Sequence, residues 1–139
     1  MQWHPIFADL LRPLLQDYYD VLTEVPVGDV PREADLLLLR RTAPAPFVGI
    51  WRHLTTWNVL EFKGPTDDPA LRDLDLLLEV GLGIDRRLNE DRQRDKQPLL
   101  ERAEVSWWYL ANHVGRRLRA EAQKQGALAI SLRPHHAAR

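Results

Sequence analysis

The residues of this chain best suited to catalysis are an acid and a lysine at the end of one apolar segment and an acid at the start of another. Glu61 and Lys63 close one segment, and Asp35 precedes the four consecutive leucines at 36–39. If both segments are strands, side chains alternate between the sheet's faces, so Glu61 and Lys63 share one face and Phe62 points to the other. Antiparallel pairing of these strands would place Asp35 opposite Glu61 or Lys63, about 5 Å away.

Two carboxylates at that separation can share one divalent cation. Mg²⁺ prefers carboxylate and carbonyl oxygens with water, and Mn²⁺ accepts the same ligands. Asp35, Glu61 and the backbone carbonyl of Phe62 would supply that set. Such an ion polarises a phosphoryl oxygen and lowers the pKa of a bound water, which Lys63 would position while it offsets developing negative charge. The pattern predicts metal-dependent hydrolysis of a phosphodiester bond.

The triplet Glu61-Phe62-Lys63 has little weight alone, because a chain of this length contains one by chance about half the time. The alternative interpretation is a surface ion cluster at a sheet edge. Charged groups inside otherwise apolar strands need partners, which favours a functional site. The elements around the triplet therefore decide how much weight it carries.

Those elements alternate in type. The predicted helices cover residues 5–20, 69–91 and 114–125, and the predicted strands cover 21–27, 34–40, 57–63 and 104–110, with a further short strand over 127–132. Mixed order of this kind indicates an α/β fold, with helices packed on a sheet. One domain over residues 1–133 and a disordered tail over 134–139 are expected.

Some local structure stays open at this point. Pro13 should kink the first helix and favours a break near Arg12. Periodicity alone cannot separate strand from helix at residues 34–40, although shortness favours a strand. Residues 48–55 are ambiguous. Asp68 is expected to cap the second long helix, with Pro69 at its first position.

The stretch "ADLLLL…NVLEFKGPTD" resembles the PD-(D/E)XK nuclease superfamily. The resemblance covers roughly residues 5 to 112 and implies a restriction-endonuclease-like αβββαβ core, a mixed sheet flanked by helices. It implies a first acid on the second strand, here Asp35, and an acid and lysine on the third, here Glu61 and Lys63. It also implies Mg²⁺ or Mn²⁺ as cofactor and DNA as substrate, RNA being the second choice. Small bacterial members similar to transposase-associated and recombination-promoting nucleases are the nearest in pattern.

This chain departs from the superfamily pattern in two places. Ala34 stands where proline often precedes the first acid. Many members add an acid from the first helix, for which Asp17 is the candidate. Asp75 and Glu79 lie on the polar stripe of the second long helix, and we interpret them as a solvated face rather than as site residues.

Composition narrows the remaining classes. The chain has 139 residues, no cysteine and a net charge of −1. Disulfides and thiolate metal sites are therefore excluded, and a reducing cytoplasm is expected. No apolar run approaches the roughly 20 residues of a membrane span, and the first residues lack the pattern of a signal peptide.

Candidate nucleic-acid contacts come from basic and aromatic residues. Residues 71–139 carry 13 Lys/Arg and 10 Asp/Glu, whereas residues 1–70 carry 6 and 10. Arg116 and Arg117 on the last helix would contact phosphates, or form an ordinary solvated face. Trp57 would line a groove as a stacking platform, or serve as core.

Two further interpretations stay open. In one, the protein keeps the fold without catalysis and acts as an interaction or nucleic-acid-binding module, with the outward-facing member of the Trp107/Trp108 pair at an interface. In the other, the chain is shortened relative to its family. A missing C-terminal strand would then expose a sheet edge and favour a homodimer.

Overall fold

A four-stranded mixed sheet with three helices forms the architecture of the protein, as seen in a computed structural model over residues 4–23, 36–63, 69–111 and 113–127. The elements in chain order are α1 (His4–Leu15), β1 (Tyr19–Leu22), β2 (Leu36–Arg41), a 3-10 helix (Gly49–His53), β3 (Trp57–Lys63), α2 (Leu71–Arg94), a 3-10 turn (Arg102–Glu104), β4 (Val105–Ala111) and α3 (Arg116–Lys124). The predicted α/β class is therefore confirmed, and the ambiguous residues 48–55 contain the first 3-10 helix.

The strands lie in the order β1-β2-β3-β4. β1 pairs with β2 and β2 with β3 in antiparallel fashion, whereas β3 and β4 are parallel. Parallel neighbours need a crossover connection, and α2 supplies it. β3 thus has a hydrogen-bonded neighbour on each side, which places Glu61 in the interior of the sheet between Leu36 and Tyr109, whereas Lys63 is paired with Ala111 of β4.

The four leucines of β2 form a strand because both faces of the sheet are covered. All four are 3% exposed or less. A strand buried on both faces reads as a continuous apolar run, which explains why its sequence does not alternate. Leu36 and Leu38 pack with residues of α2, and Leu37 and Leu39 pack with residues of α1. The two helices therefore lie on opposite faces of the sheet.

Helix α1 ends earlier than predicted. It stops at Leu15, and β1 begins at Tyr19, where a helix to Asp20 was expected. The predicted break near Arg12 is wrong, since Pro13 lies inside the helix and the Gln16 N–H donates to the Arg12 carbonyl at 2.9 Å. Pro13 has no N–H to donate to the Asp9 carbonyl, so the helix lacks that one hydrogen bond and still continues to Leu15.

Helix α2 begins later and runs further than predicted. Its N-cap is Ala70 and its last residue is Arg94, so the prediction of Pro69 as the first helical residue is wrong. Asp68 lies outside the described residues. The buried stripe of the helix consists of Asp73, Leu77, Val80, Gly81 and Ile84.

Leu82 is apolar but lies off this stripe and is 43% exposed. Asp75 and Glu79 are exposed, as predicted.

Trp107 and Trp108 cover opposite faces of β4. Trp107 packs with the α2 side of the core, and its indole lies directly on Gly81. Trp108 packs with the α1 side, where its ring stacks on Trp51 with centroids 6.3 Å apart. Neither ring stands free on an outward face, because both sides of this strand are covered.

Several predicted features fall on residues that the structure does not describe. They are Asp35, the tail over 134–139 and all of the predicted strand over 127–132 except Ala127. α3 ends at Lys124, and Gly126 follows with φ +84°, in the left-handed conformation that commonly ends a helix. Within the described ranges, no helix has both the length and the apolar character needed to cross a membrane.

The contact between Trp107 and Gly81 can be tested with a matched pair of glycines on α2. A methyl group at Gly81 would come within 2.9 Å of Trp107 Cε2 and closer still to Nε1 and Cδ1, whereas one at Gly83 would meet nothing within 4 Å. We expect Gly81→Ala to lower the free energy of unfolding by about 1–3 kcal/mol through overpacking. Gly83→Ala should raise it by up to about 1 kcal/mol, because alanine is the better helix former. Urea unfolding of both variants measures the difference, and equal effects would contradict the contact.

Candidate functional site

Glu61 and Lys63 project from the same face of β3, as their spacing predicts. That face is the one packed against α2, where Trp57 and Val59 precede them in the same strand. The side chain of Phe62 lies on the other face and stacks on Phe7, with centroids 4.3 Å apart. The alternation expected for a strand therefore holds through the whole triplet.

Glu61 is a buried carboxylate with one cationic neighbour. Its residue exposure is 2%, and its Oε1 lies 3.3 Å from Lys63 Nζ. Its Oε2 is buried and has no hydrogen-bond partner among the described residues. A buried polar atom of this kind needs an explanation, and a carboxylate oxygen without donors is of the type that a hard cation accepts as a ligand.

Burial raises the pKa of Glu61 above its ordinary value. The cause is loss of hydration, which disfavours the charged form. The ammonium group of Lys63 opposes this shift by charge and by hydrogen bonding, and the negative charge of Asp73 adds a smaller increase in the pKa. The effect of burial on the pKa of Glu61 is therefore larger than the opposing effect of Lys63, and the protonated form is favoured more than it would be in water.

A third charged residue, Asp73, completes the cluster. It lies on the third residue of α2 and is 7% exposed. Its Oδ1 lies 3.5 Å from Lys63 Nζ. Its Oδ2 accepts the backbone N–H of Ala70 at 2.8 Å and the hydroxyl of Tyr109 at 3.0 Å. Asp73 thus satisfies a free N–H group at the start of α2 and also pairs with the lysine.

Sequence reasoning missed Asp73 and Tyr109, although a signal for each was present. Asp73 stands four residues before Leu77 and seven before Val80, so it shares the buried stripe of α2. Tyr109 is two residues from Trp107 in β4 and pairs in register with Glu61, so it shares their face. Counting only apolar residues along α2 concealed the acid.

The cluster lies where the carboxyl ends of two parallel strands meet the start of a helix. Lys63 and Ala111, the last residues of β3 and β4, are paired, and α2 begins eight residues after Lys63. Open sheets with parallel strands commonly bind ligands outside these carboxyl ends. The placement is compatible with a binding site and equally with an ion cluster.

Asp35 lies outside the described residues, so its predicted approach to Glu61 is untested. Its chain neighbour Leu36 is the residue that pairs with Glu61. In a regular ladder with this register, the partner position of residue 35 is Phe62, on the face opposite Glu61. A shared face for the two acids therefore requires irregular pairing before Leu36. The part of Phe62 as a carbonyl ligand also stays a prediction.

Two of the predicted accessory residues do not suit their predicted roles, since Asp17 lies away from the cluster and Trp57 is buried. Asp17 is exposed in the turn between α1 and β1. It precedes Tyr19, which pairs with Arg41 at the end of β2 remote from Leu36, about 17 Å along the strand. Trp57 is 8% exposed in the core, with the Arg40 guanidinium 5.8 Å from its ring centroid. The structure supports neither Asp17 as an additional acid nor Trp57 as a nucleic-acid contact.

Arg116 and Arg117 are exposed in the first turn of α3. Arg116 follows the last residue of β4 by five residues, which can span at most about 18 Å. Arg116 therefore stands within that reach of the carboxyl end of β4, and Arg117 is its chain neighbour; the contact of both with phosphates stays a prediction.

Within the described ranges, no group of three or more histidine, aspartate or glutamate residues could hold a metal ion. Comparisons with protein-family models, curated proteins and solved structures find no match to this chain. The relation to PD-(D/E)XK proteins thus stays a prediction from the residues.

The raised pKa of Glu61 predicts a pH-dependent effect of Glu61→Gln on stability. Because the folded protein holds this proton more strongly than the unfolded chain, the stability linked to Glu61 is complete below the unfolded pKa and is lost as pH rises through the folded pKa. The amide introduced by this substitution would mimic the protonated form at every pH. We expect the variant to match the wild type near pH 4 and to have the higher Tm at pH 7 to 8.

Thermal unfolding across this pH range measures the effect, with Glu79→Gln on the exposed side of α2 as a control. A lower Tm for Glu61→Gln at pH 8 would mean that pairing with Lys63 outweighs burial.

Proposed function

We propose that this protein is a metal-dependent phosphodiesterase of the nuclease type, with DNA as its substrate. The observation that carries the proposal is the buried carboxylate of Glu61 beside Lys63, with Oε2 lacking a hydrogen-bond partner among the described residues. Keeping a desolvated charge at the end of two parallel strands costs stability. Such a cost is typical of functional sites, where local stability is exchanged for chemistry.

The order of elements supports the finer assignment of the fold. From α1 to β4 the chain runs helix, three strands, helix, strand, which is the order that the resemblance to PD-(D/E)XK nucleases implies. Glu61 and Lys63 lie on the third strand, and Asp35 directly precedes the second. We therefore assign the chain to that superfamily as part of the proposal.

One described atom of the cluster suits a hard divalent cation. Glu61 Oε2 is an oxygen atom without a donor among the described residues, which matches the preference of Mg²⁺ and Mn²⁺ for carboxylate ligands. Asp35, on the condition that pairing before Leu36 departs from the regular register, and the carbonyl of Phe62 would complete the protein ligands. When bound, the ion would polarise the phosphoryl group and lower the pKa of the attacking water.

Lys63 would act directly on the reacting atoms. Its ammonium group has three N–H donors and is partly exposed, so it can donate to a water or to a phosphoryl oxygen while it contacts Glu61. Donors held in place before the reaction stabilise the charge that develops during it. Arg116 and Arg117 would bind backbone phosphates further along the strand of DNA.

One observation favours the rival function, a non-catalytic member that binds nucleic acid or protein. Lys63 pairs with both Glu61 and Asp73, so each of the two described carboxylates already has a cationic partner without a metal ion. In that case the cluster would serve stability, and no cation would bind to it.

Incubation with supercoiled plasmid, single-stranded DNA and RNA, with Mg²⁺, Mn²⁺ or EDTA, separates the two functions. We expect metal-dependent cleavage by the wild type and loss of at least about 100-fold in rate for Lys63→Met and Glu61→Gln, because each removes a group that acts on the reacting atoms. Asp35→Asn should have a similar effect if Asp35 is the second ligand.

Lys124→Met and Glu79→Gln are the matched controls, since both residues are exposed and lie away from the cluster, and they should retain full activity. Absence of cleavage by the wild type with either metal, or cleavage by Lys63→Met at the wild-type rate, would overturn the nuclease proposal.

A further inference from the structure

Lys63 is held by two carboxylates that belong to different elements. Glu61 is its neighbour on β3 at 3.3 Å, and Asp73 reaches it from α2 at 3.5 Å. The first contact follows from the spacing of the triplet alone. The second depends on how α2 packs on the sheet, and the proposed function does not use it.

Asp73 is itself fixed by two further donors. Its Oδ2 accepts the Tyr109 hydroxyl from β4 and the Ala70 N–H from the start of α2. With Oδ2 held from two sides and the residue 7% exposed, Oδ1 has little freedom to leave Lys63. Three elements thus determine the position of one ammonium group.

We propose that Asp73 and Tyr109 are positioning residues that keep the Lys63 ammonium group in place during the reaction. The inference rests on the proposed function, in which Glu61 binds a divalent cation. A cation on Glu61 Oε2 would repel the positive charge of Lys63 and weaken the contact of the lysine with Oε1 of that carboxylate. Asp73 is the partner that remains, and without it a long flexible side chain would turn toward solvent.

The contacts favour this role over direct metal binding by Asp73. Both donors on Oδ2 come from the protein, and the remaining oxygen faces the lysine. Glu61 differs, because its Oε2 has no such donor among the residues described. The two acids therefore have different roles: Glu61 would bind the cation, and Asp73 holds Lys63.

Kinetics of metal-dependent DNA cleavage test the role. Asp73→Asn keeps an acceptor for Ala70 and Tyr109 but removes the charge beside Lys63, and Tyr109→Phe removes only the hydroxyl. Each variant should lower kcat by about 10- to 100-fold, the range typical of residues that orient an active group. KM for DNA and the half-saturating Mg²⁺ concentration should not change. Tyr18→Phe is the control for loss of a tyrosine hydroxyl away from the cluster.

A double-variant cycle separates positioning from a general structural role. If Asp73 acts through Lys63, Asp73→Asn in a Lys63→Met background should cause no further loss of activity. A further loss equal to that of the single variant would overturn the inference. A large increase in the half-saturating Mg²⁺ concentration for Asp73→Asn would also overturn it, since Asp73 would then be a metal ligand.

A measurement without catalysis keeps the inference distinct from the proposed function. The chain has three lysines, Lys63, Lys96 and Lys124, and the last two are exposed. In protein labelled with ¹³C at lysine Cε, the two Hε protons of Lys63 should differ in shift because its side chain is held, and this difference should collapse in Asp73→Asn and Tyr109→Phe.

Lysine-to-arginine variants at 96 and 124 assign the three signals. An unchanged Lys63 signal in both Asp73→Asn and Tyr109→Phe would overturn positioning, even if the wild type cleaves DNA. A wild type that does not cleave DNA but shows the collapse would retain the held lysine and remove only the nuclease proposal.

Discussion

The burial of the Glu61 carboxylate is the constraint on which the arrangement of the site depends. A charge removed from water in the middle of a sheet requires a cation nearby, and Lys63 on the same face of the same strand is that cation. The lysine in turn forms an ion pair with Asp73 of α2, and Asp73 accepts a hydrogen bond from Tyr109 of β4. Each partner satisfies the one before it, so a single desolvated group links two strands and a helix.

Position along the chain explains why the site joins β3, β4 and α2. The two strands are parallel, so their carboxyl ends lie side by side, and the connecting helix must begin close to the end of β3. An acid in the first turn of that helix is favoured by the free N–H groups there. Asp73 therefore belongs to the local chemistry of a helix start and to the ion cluster at once, so its loss would affect both.

Much of the strand architecture was predictable, because strands reveal themselves through short apolar segments and turn residues. Glu61 and Lys63 stood out as charges that interrupt such a segment, and β3 has the predicted bounds. Asp73 was hidden because a buried acid on a helix leaves no mark except its spacing to Leu77 and Val80. The burial of Trp57 and the remoteness of Asp17 depend on how α2 covers the sheet and on where α1 ends, and neither is encoded by local pattern. Which residue stands opposite Glu61 depends on the register of β2 against β3. A shift of one residue would move each side chain of β2 to the other face of the sheet.

The indole of Trp107 against Gly81 has a consequence for the site some distance away. An amphipathic helix on an apolar sheet can move along its own axis with only a modest change in the area that it buries. The ring of Trp107 lies so close to Gly81 that even a Cβ there would collide with it, so moving a residue with a side chain under the ring is opposed. Asp73 lies eight residues, or about 12 Å, from Gly81 along the axis of α2. One aromatic ring thus sets the axial position of the helix, and with it the reach of the carboxylate that meets Lys63.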